Sequence, residues 1–526
     1  MTAFLIAVLA TAVLGSVLQT QISLAALSAI GAPSGSELLA AVAAQDLLTF
    51  GPVMAAICGA AFLVAFPAIH VIGRLTHQIG RTVAMGLGGV IALWTAFWVM
   101  GFITPMPSLV AATRYPTGHL TMALTGCVGG LVYCYFTRAS LPPRRVPLIH
   151  LASISGIAVV ALLVILALVR SKEASIPLAD ASGFKVETLS SDLAYPWSLA
   201  ILPDGRLLIS ERAGRIRAIS PDGSHSEIDV AGFPNIYRGG INGLMDVAAD
   251  PDFAHNNFLY MTMSYGTRDA NGTRLVRARL DADRLTDVRA LFESTPKDAD
   301  GNNGGRVAFL KDGSLILTLG DGLRRREEAQ NPSNHLGKVV RLDREGRAPP
   351  DNPFFGKPNT APEIYSLGHR NIQGAAVDPE DGSLLISEHG PRGGDEVNLV
   401  RAGGNYGWPI VTSGLDYSFA RVTPFRDLAG LEPPLLEWSP SIAPGGLAIY
   451  RGTLFPEWQG SLFVPALREK SIRRVIRKGD RVVGQEILLA DRKERMRDVK
   501  VSNDGSVYVL TDGPLAQLLR LVPAAR

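Results

Sequence analysis

The most constraining feature of this 526-residue chain is a repeated unit in its last two thirds: a short apolar run, an Asp-Gly pair, a second apolar run. It occurs around Asp204-Gly205, Asp312-Gly313, Asp381-Gly382 and Asp504-Gly505. Weaker copies start near Leu244 and Gly446. Asp-Gly between two runs reads as a tight hairpin turn, because glycine accepts positive φ. Six copies over about 340 residues leave roughly 57 residues per unit, close to one four-stranded blade with its loops. The spacing therefore predicts an all-β six-bladed propeller over 183–526. A two-sheet sandwich has no need of six similar units.

The first third differs. Apolar runs near 3–20, 52–73, 83–104, 118–137 and 150–169 each come close to the ~20 residues that span a hydrocarbon core. Residues 1–170 are thus expected to be an α-helical transmembrane domain of about five spans, in contact with membrane lipid, and 171–182 a linker. No basic stretch precedes the first run, so it reads as an uncleaved helix rather than a signal peptide. Arg74 and Arg81 follow the second run, and Arg138, Arg144 and Arg145 follow the fourth. The other side carries only Arg114 before Arg170 and Lys172. Basic loops stay cytoplasmic, which puts the N-terminus inside and everything after 170 outside. In a bacterium this is a multi-pass protein of the inner membrane with its propeller in the periplasm.

Lys plus Arg number 51 against 48 Asp plus Glu, a balance that gives nucleic acid no purchase. Cys58, Cys127 and Cys134 all lie in the apolar third, so the propeller has neither disulfides nor thiolate metal sites.

Chemistry concentrates in two neighbouring stretches. Gly368-His369-Arg370-Asn371-Ile372-Gln373-Gly374 is followed by Glu388-His389-Gly390-Pro391-Arg392-Gly393-Gly394-Asp395-Glu396. A guanidinium, an amide and a glycine-rich acidic loop within about thirty residues suit an anionic ligand beside a hard metal ion.

On these motifs, with Asn405-Tyr406-Gly407-Trp408-Pro409, residues 183–524 resemble the soluble glucose dehydrogenases and aldose sugar dehydrogenases, the glucose/sorbosone dehydrogenase family. The resemblance implies a six-bladed propeller that binds pyrroloquinoline quinone (PQQ) and Ca2+ and oxidises sugars at C1. It gives Arg370 and Asn371 contacts to the quinone. A guanidinium beside a quinone carbonyl stabilises the charge that develops as hydride arrives. Arg495 and Arg497 match an Arg-x-Arg pair that strand alternation sends to one face, toward the cofactor carboxylates. Arg468 falls where soluble members have a cofactor-binding lysine, keeping the charge but not the geometry. Gly390 and Pro391 match carbonyl ligands of a catalytic calcium, Glu396 and Tyr406 match positions of a further calcium site, and Asp321 matches an acid that supports the catalytic histidine.

Two positions depart from the family. Its base is a histidine four residues before the arginine of Gly305-Arg306, and Asn302 stands there. An amide is no general base. Asp300 is close enough to substitute, as a weak base unless burial raises its pKa. Where the family has a cofactor-contacting glutamine the chain has Ile241, with Asn242 adjacent. His335 and His369 match family positions without a base role.

The expected function is a membrane-anchored, PQQ-dependent sugar dehydrogenase that delivers electrons to a respiratory acceptor. The alternatives are a catalytically silent propeller that binds a carbohydrate or protein partner, and a calcium-dependent lactonase-type hydrolase on the same scaffold.

Overall fold

The computed structural model describes residues 1–72, 78–103, 110–138 and 178–524. It divides into two compact units, Met1–Glu173 with Leu415–Pro424, and Ala174–Gly414 with Phe425–Arg526.

The first unit contains helices α1 (Thr2–Ala29), α2 (Ser36–Thr49), α3 (Gly51–Ile72), α4 (Gln78–Ile103) and α5 (Pro116–Arg138). Four of them, all but α2, are long and apolar enough to cross a membrane. They coincide with the first four apolar runs; the run at 150–169 lies outside the described residues. α2 has no counterpart among those runs. It is only 14 residues long and carries Glu37 and Asp46. Glycines set the spacing of α4 and α5: a Cβ on Gly89, Gly126 or Gly130 would overlap backbone of the facing helix. Small residues are what let helices approach without a hydrophobic drive between them. Outward-facing Leu9, Trp98, Phe102 and Tyr135 are exposed, as lipid-facing side chains would be.

The second unit is a six-bladed propeller. Among the described residues its 25 strands form six sheets, over 196–227, 244–293, 307–367, 372–438, 448–488 with 178–180 added, and 496–523 with 184–193 added; strands are numbered β1 to β25 in chain order. The first strands, β3 (Pro196–Ile201), β7 (Leu244–Ala249), β11 (Val307–Phe309), β15 (Ile372–Val377), β19 (Ala448–Ile449) and β23 (Met496–Val501), touch one another around the ring. β2 (Phe184–Leu193) pairs antiparallel with β25 (Ala516–Pro523), so the start of the propeller completes its last blade. Leu178–Asp180, expected to be linker, is strand β1, paired parallel with β22 (Arg481–Leu488).

Every Asp-Gly copy joins the first and second strands of a blade. The turns are longer than two-residue hairpins, and the aspartate explains why they recur. In each, its Oδ1 accepts the backbone N–H two residues on, from Arg206 (3.0 Å), Ser314 (2.8 Å), Ser383 (2.7 Å) and Ser506 (2.9 Å). That is the local side-chain bond by which Asp mimics a backbone turn, and the following glycine takes φ between 82° and 93°.

The core is six clusters between blades rather than one. Along β12 (Leu315–Leu319), Leu315 and Leu317 pack with Tyr260 and Leu275 of the second blade, while Ile316 packs with Ile372 and Ile386 of the fourth. Alternation thus feeds two different interfaces. This is why β12 and β16 (Leu384–Glu388) are buried at every residue and read as continuous apolar runs.

Candidate active site

In an antiparallel blade the entry to the first strand and the link between the second and third lie at the same end. Nearly all the candidate residues fall on these two kinds of segment. Asn302, Arg370 and Asn371 precede β11 and β15, and Arg497 is the second residue of β23. Asp321 lies between β12 and β13 (Lys338–Leu342), His389 to Pro391 between β16 and β17 (Asp395–Val400), and Arg468 between β20 (Leu462–Ala466) and β21 (Ser471–Lys478). Residues scattered over 200 positions are thereby gathered at one mouth of the ring.

Asp321 is the hub. Its Oδ1 accepts from Asn302 Nδ2 (2.8 Å) and Leu323 N (2.7 Å), and its Oδ2 from Trp408 Nε1 (2.9 Å). Its own N–H donates to the Arg370 carbonyl at 2.8 Å. The Arg370 guanidinium lies 5.5 Å from the Trp408 ring and donates from Nη1 to the carbonyls of Gly390 (2.7 Å) and His389 (3.1 Å). Asn371 is buried beside it, with Oδ1 accepting from Gly304 N at 3.3 Å.

Arg495 and Arg497 share one carboxylate, Asp512, at 2.8 Å and 3.5 Å. Arg497 Nε is buried without a hydrogen-bond partner. Burial first, then Arg495, holds the Arg497 guanidinium below its usual pKa, against the pull of Asp512. Arg468 is exposed and donates to the Ser441 carbonyl at 3.3 Å.

His389 reports how these cations converge. Burial pushes its pKa down to about 3, and Arg370, Arg497 and Arg495 all add to the fall. Its Nε2 lies 2.7 Å from the Pro444 carbonyl, which makes Nε2 the protonated nitrogen. His389 and Asp512 were not singled out from the sequence. A signal for Asp512 exists: Glu211, Asp321, Glu388 and Asp512 each end the second strand of a blade or follow it within two residues, seven to nine residues after the aspartate of the turn.

The metal candidates gather less well. The Gly390 carbonyl is already engaged by Arg370. Glu396 sits among Glu388, Glu437 and Asp395, and burial first, then Glu388, pushes its pKa well up. Tyr406 is turned to other work: its hydroxyl donates to Leu399 O (2.6 Å) and accepts from Arg401 N (2.8 Å), and its ring stacks on His369. Among the described residues no group of three or more His, Cys, Asp or Glu is arranged to hold a metal.

Ile241 is 59% exposed, close to Leu323 across the Gly301 backbone. His369 has both nitrogens engaged, with Ser366 Oγ and Glu388 Oε1 at 2.9 Å each. His335 binds Thr295 and Glu363. Both rings have their two nitrogens engaged.

Residues 193–520 match the glucose/sorbosone dehydrogenase family over more than half the chain. The chain belongs to this family. It is 39% identical over 345 residues to the aldose sugar dehydrogenase of Escherichia coli K12, covering 64% of this chain and 92% of the relative. It is 30% identical over 421 residues to quinoprotein glucose dehydrogenase B of Acinetobacter calcoaceticus, covering 64% of this chain and 86% of that one. The PQQ-bound aldose sugar dehydrogenase of Streptomyces coelicolor superposes with a TM-score of 0.55 at 28% identity, over 65% of this chain and 99% of the other. All three matches leave about a third of the chain uncovered.

The donor set fits an anionic quinone. Arg495 and Arg497 share a single carboxylate, Asp512, the Arg370 guanidinium bonds only to carbonyls among the described residues, and one buried N–H is left unspent. A cofactor bearing carboxylates would supply the missing acceptors. For calcium the set shows less: the Gly390 carbonyl accepts from Arg370, which leaves its second lone pair for a metal.

Proposed function

We propose that this chain is a PQQ-dependent sugar dehydrogenase that oxidises an aldose at C1, with its propeller held beside a bacterial inner membrane on the periplasmic side. The observation that carries this reading is the convergence of Arg370, Arg495 and Arg497 on His389, with Asp512 shared by two of them and Asp395 near the third. Three cations converging on so few carboxylates suit an anionic ligand.

The quinone, when bound, supplies a two-electron acceptor for the C1 hydrogen. Arg495 and Arg497 would hold its carboxylates, with exposed Arg468 at the rim. Arg370 and Asn371 would face its reactive carbonyls, Arg370 stabilising negative charge there. Asp321, through Trp408 and the Arg370 backbone, keeps that guanidinium aimed. The Gly390 and Pro391 carbonyls would hold calcium, the Gly390 oxygen shared with Arg370; Glu396 and Tyr406 would belong to a separate, supporting site. The apolar helices would anchor the propeller near respiratory acceptors.

One observation favours a second reading, a silent carbohydrate-binding propeller: the base position holds Asn302, whose amide is already committed to Asp321. Absorption spectra of the protein loaded with PQQ and calcium, before and after a panel of aldoses, separate the two. Reduction of the quinone by a sugar establishes the dehydrogenase. A quinone bound but reduced by none supports the silent site, and failure to bind PQQ removes the cofactor reading.

A further inference from the structure

We propose that Asp300 takes the substrate's hydroxyl proton in this chain, in place of the imidazole that position 302 lacks; the proposal rests on the dehydrogenase reading above. Asp300 lies on the same loop as Asn302, ahead of β11. Its Oδ1 accepts from Tyr237 Oη (2.8 Å) and Asn242 Nδ2 (3.0 Å). Its Oδ2 has no donor among the described residues, and the side chain is half-buried. A carboxylate with one oxygen pinned by two donors and the other open is fixed in orientation yet able to accept a proton.

The surroundings tie this loop to the one that carries Asp321. A Cβ on Gly240 would stand 2.9 Å from Asp300 Cβ, so only glycine lets this strand entry close over the carboxylate. On the next residue, Gly301, an added Cβ would come within 3.4 Å of Leu323 and 3.6 Å of Ile241. Leu323 in turn donates its N–H to Asp321, the partner of Asn302. Asp300, Ile241, Leu323 and Asn302 therefore border one patch.

The other titratable groups nearby are spoken for. Asp298 pairs with Arg325 at 3.1 Å. Lys297 Nζ is turned to Asn271 Oδ1 (2.5 Å) and Ala299 O (2.6 Å). Asp321 accepts three hydrogen bonds. His389 is crowded by arginines, which oppose its taking up a proton.

In the proposed step the sugar O–H bond breaks and its proton passes to Asp300 Oδ2. The C1–H electron pair and hydrogen pass together to the o-quinone cofactor, which is reduced by two electrons. The sugar carbon gains its C=O bond and leaves as a lactone.

The test compares wild type, Asp300→Asn, Asp300→Gly and the double variant Asp300→Asn/Asn302→His, all loaded with PQQ and calcium. Quinone reduction by an aldose that the wild type oxidises is followed by stopped-flow absorption. Asp300→Asn is expected to slow reduction by about 10²–10⁴-fold, while aldose affinity of the unloaded protein, measured by calorimetry, changes less than about threefold. Formate should restore part of the rate to Asp300→Gly, and the added histidine should restore it to the double variant. Independently of turnover, Tyr237, whose pKa burial and then Asp300 push up to about 12, should titrate lower in Asp300→Asn. Unchanged reduction in a folded Asp300→Asn, or parallel loss of rate and affinity, overturns the assignment while leaving the dehydrogenase reading intact. A wild type that no aldose reduces removes both.

Discussion

Asn302 donates its side-chain N–H to Asp321 Oδ1 at 2.8 Å, in a buried corner of the site. An amide in this corner offers no basic nitrogen. Asn302 has φ of 46°, in the left-handed region that asparagine and histidine enter more readily than most residues. Asn302→His should therefore fold, with one ring nitrogen donating to Asp321 and the other left as acceptor. Quinone reduction by aldoses should rise about tenfold or more, since a base working near its own pKa is the most effective. An unchanged stopped-flow rate would show that proton abstraction does not pass through this position.

Arg497 gives a prediction with two readouts that move apart. Its guanidinium is poorly paired: it shares Asp512 with Arg495, and its Nε has no partner. Arg497→Met removes a buried charge that the fold only partly compensates. Stability of the unloaded protein in urea should stay within about 1 kcal/mol of wild type or increase. PQQ affinity, by absorption titration, should fall by the equivalent of about 2–5 kcal/mol, as when one partner of a buried charge pair is lost. Loss of stability without loss of affinity would place Arg497 in the scaffold instead.

Arg306 is the contrasting arginine. It is 2% exposed, ion-paired to Asp246 (3.2 Å) and Asp498 (3.0 Å), bonded from Nε to the Gln373 carbonyl (2.6 Å) and stacked 4.2 Å from Trp197. These partners come from four other blades around the ring. Arg306→Met leaves two buried aspartates without their cation and should cost about 3–5 kcal/mol. Urea denaturation of the propeller measures this directly; a loss below about 1 kcal/mol would mean that the ring is held by its apolar inter-blade clusters alone.

The blades were legible because the Asp-Gly turn carries a local mechanism: an aspartate bonding its own backbone and a glycine at positive φ leave a mark in each copy. The arginines were legible through motif resemblance, and the topology then explains why Arg370 and Arg497, more than a hundred residues apart, share one mouth. Asp512 and His389 were harder to find, since each works through residues on other loops and neither stands out alone. The Tyr237–Asp300–Asn242 group was invisible for the same reason, although Asp300 itself could be named. β1 was hidden because a three-residue parallel edge strand has no periodicity to read. For the metal positions, backbone carbonyls such as that of Gly390 leave no side-chain signature, and the sequence could not show that Arg370 engages one of them.

Lys297 supplies a pH test of the loop that carries Asp300 and Asn302. Burial pushes its pKa down to about 8, although Asp300, Asp321 and Asp298 pull the other way. The unfolded chain holds a lysine proton up to its ordinary pKa near ~10.4, so between about 8 and that value the unfolded state binds more protons than the folded one. The sign follows from linkage: the contribution of Lys297 is fully present above the unfolded pKa and is lost as pH falls through about 8. At neutral pH the folded protein therefore carries a buried ammonium, held by Asn271 Oδ1 and the Ala299 carbonyl. Lys297→Met strands those two acceptors, so its absolute stability is a poor guide. The difference in melting temperature between wild type and Lys297→Met is the clean quantity, because the tyrosines and other lysines cancel in it. That difference should move in favour of the wild type as pH climbs from about 8 to 10. A difference that stays flat over this range would mean that Lys297 keeps an ordinary pKa, and that water reaches the loop from below as well as from the mouth.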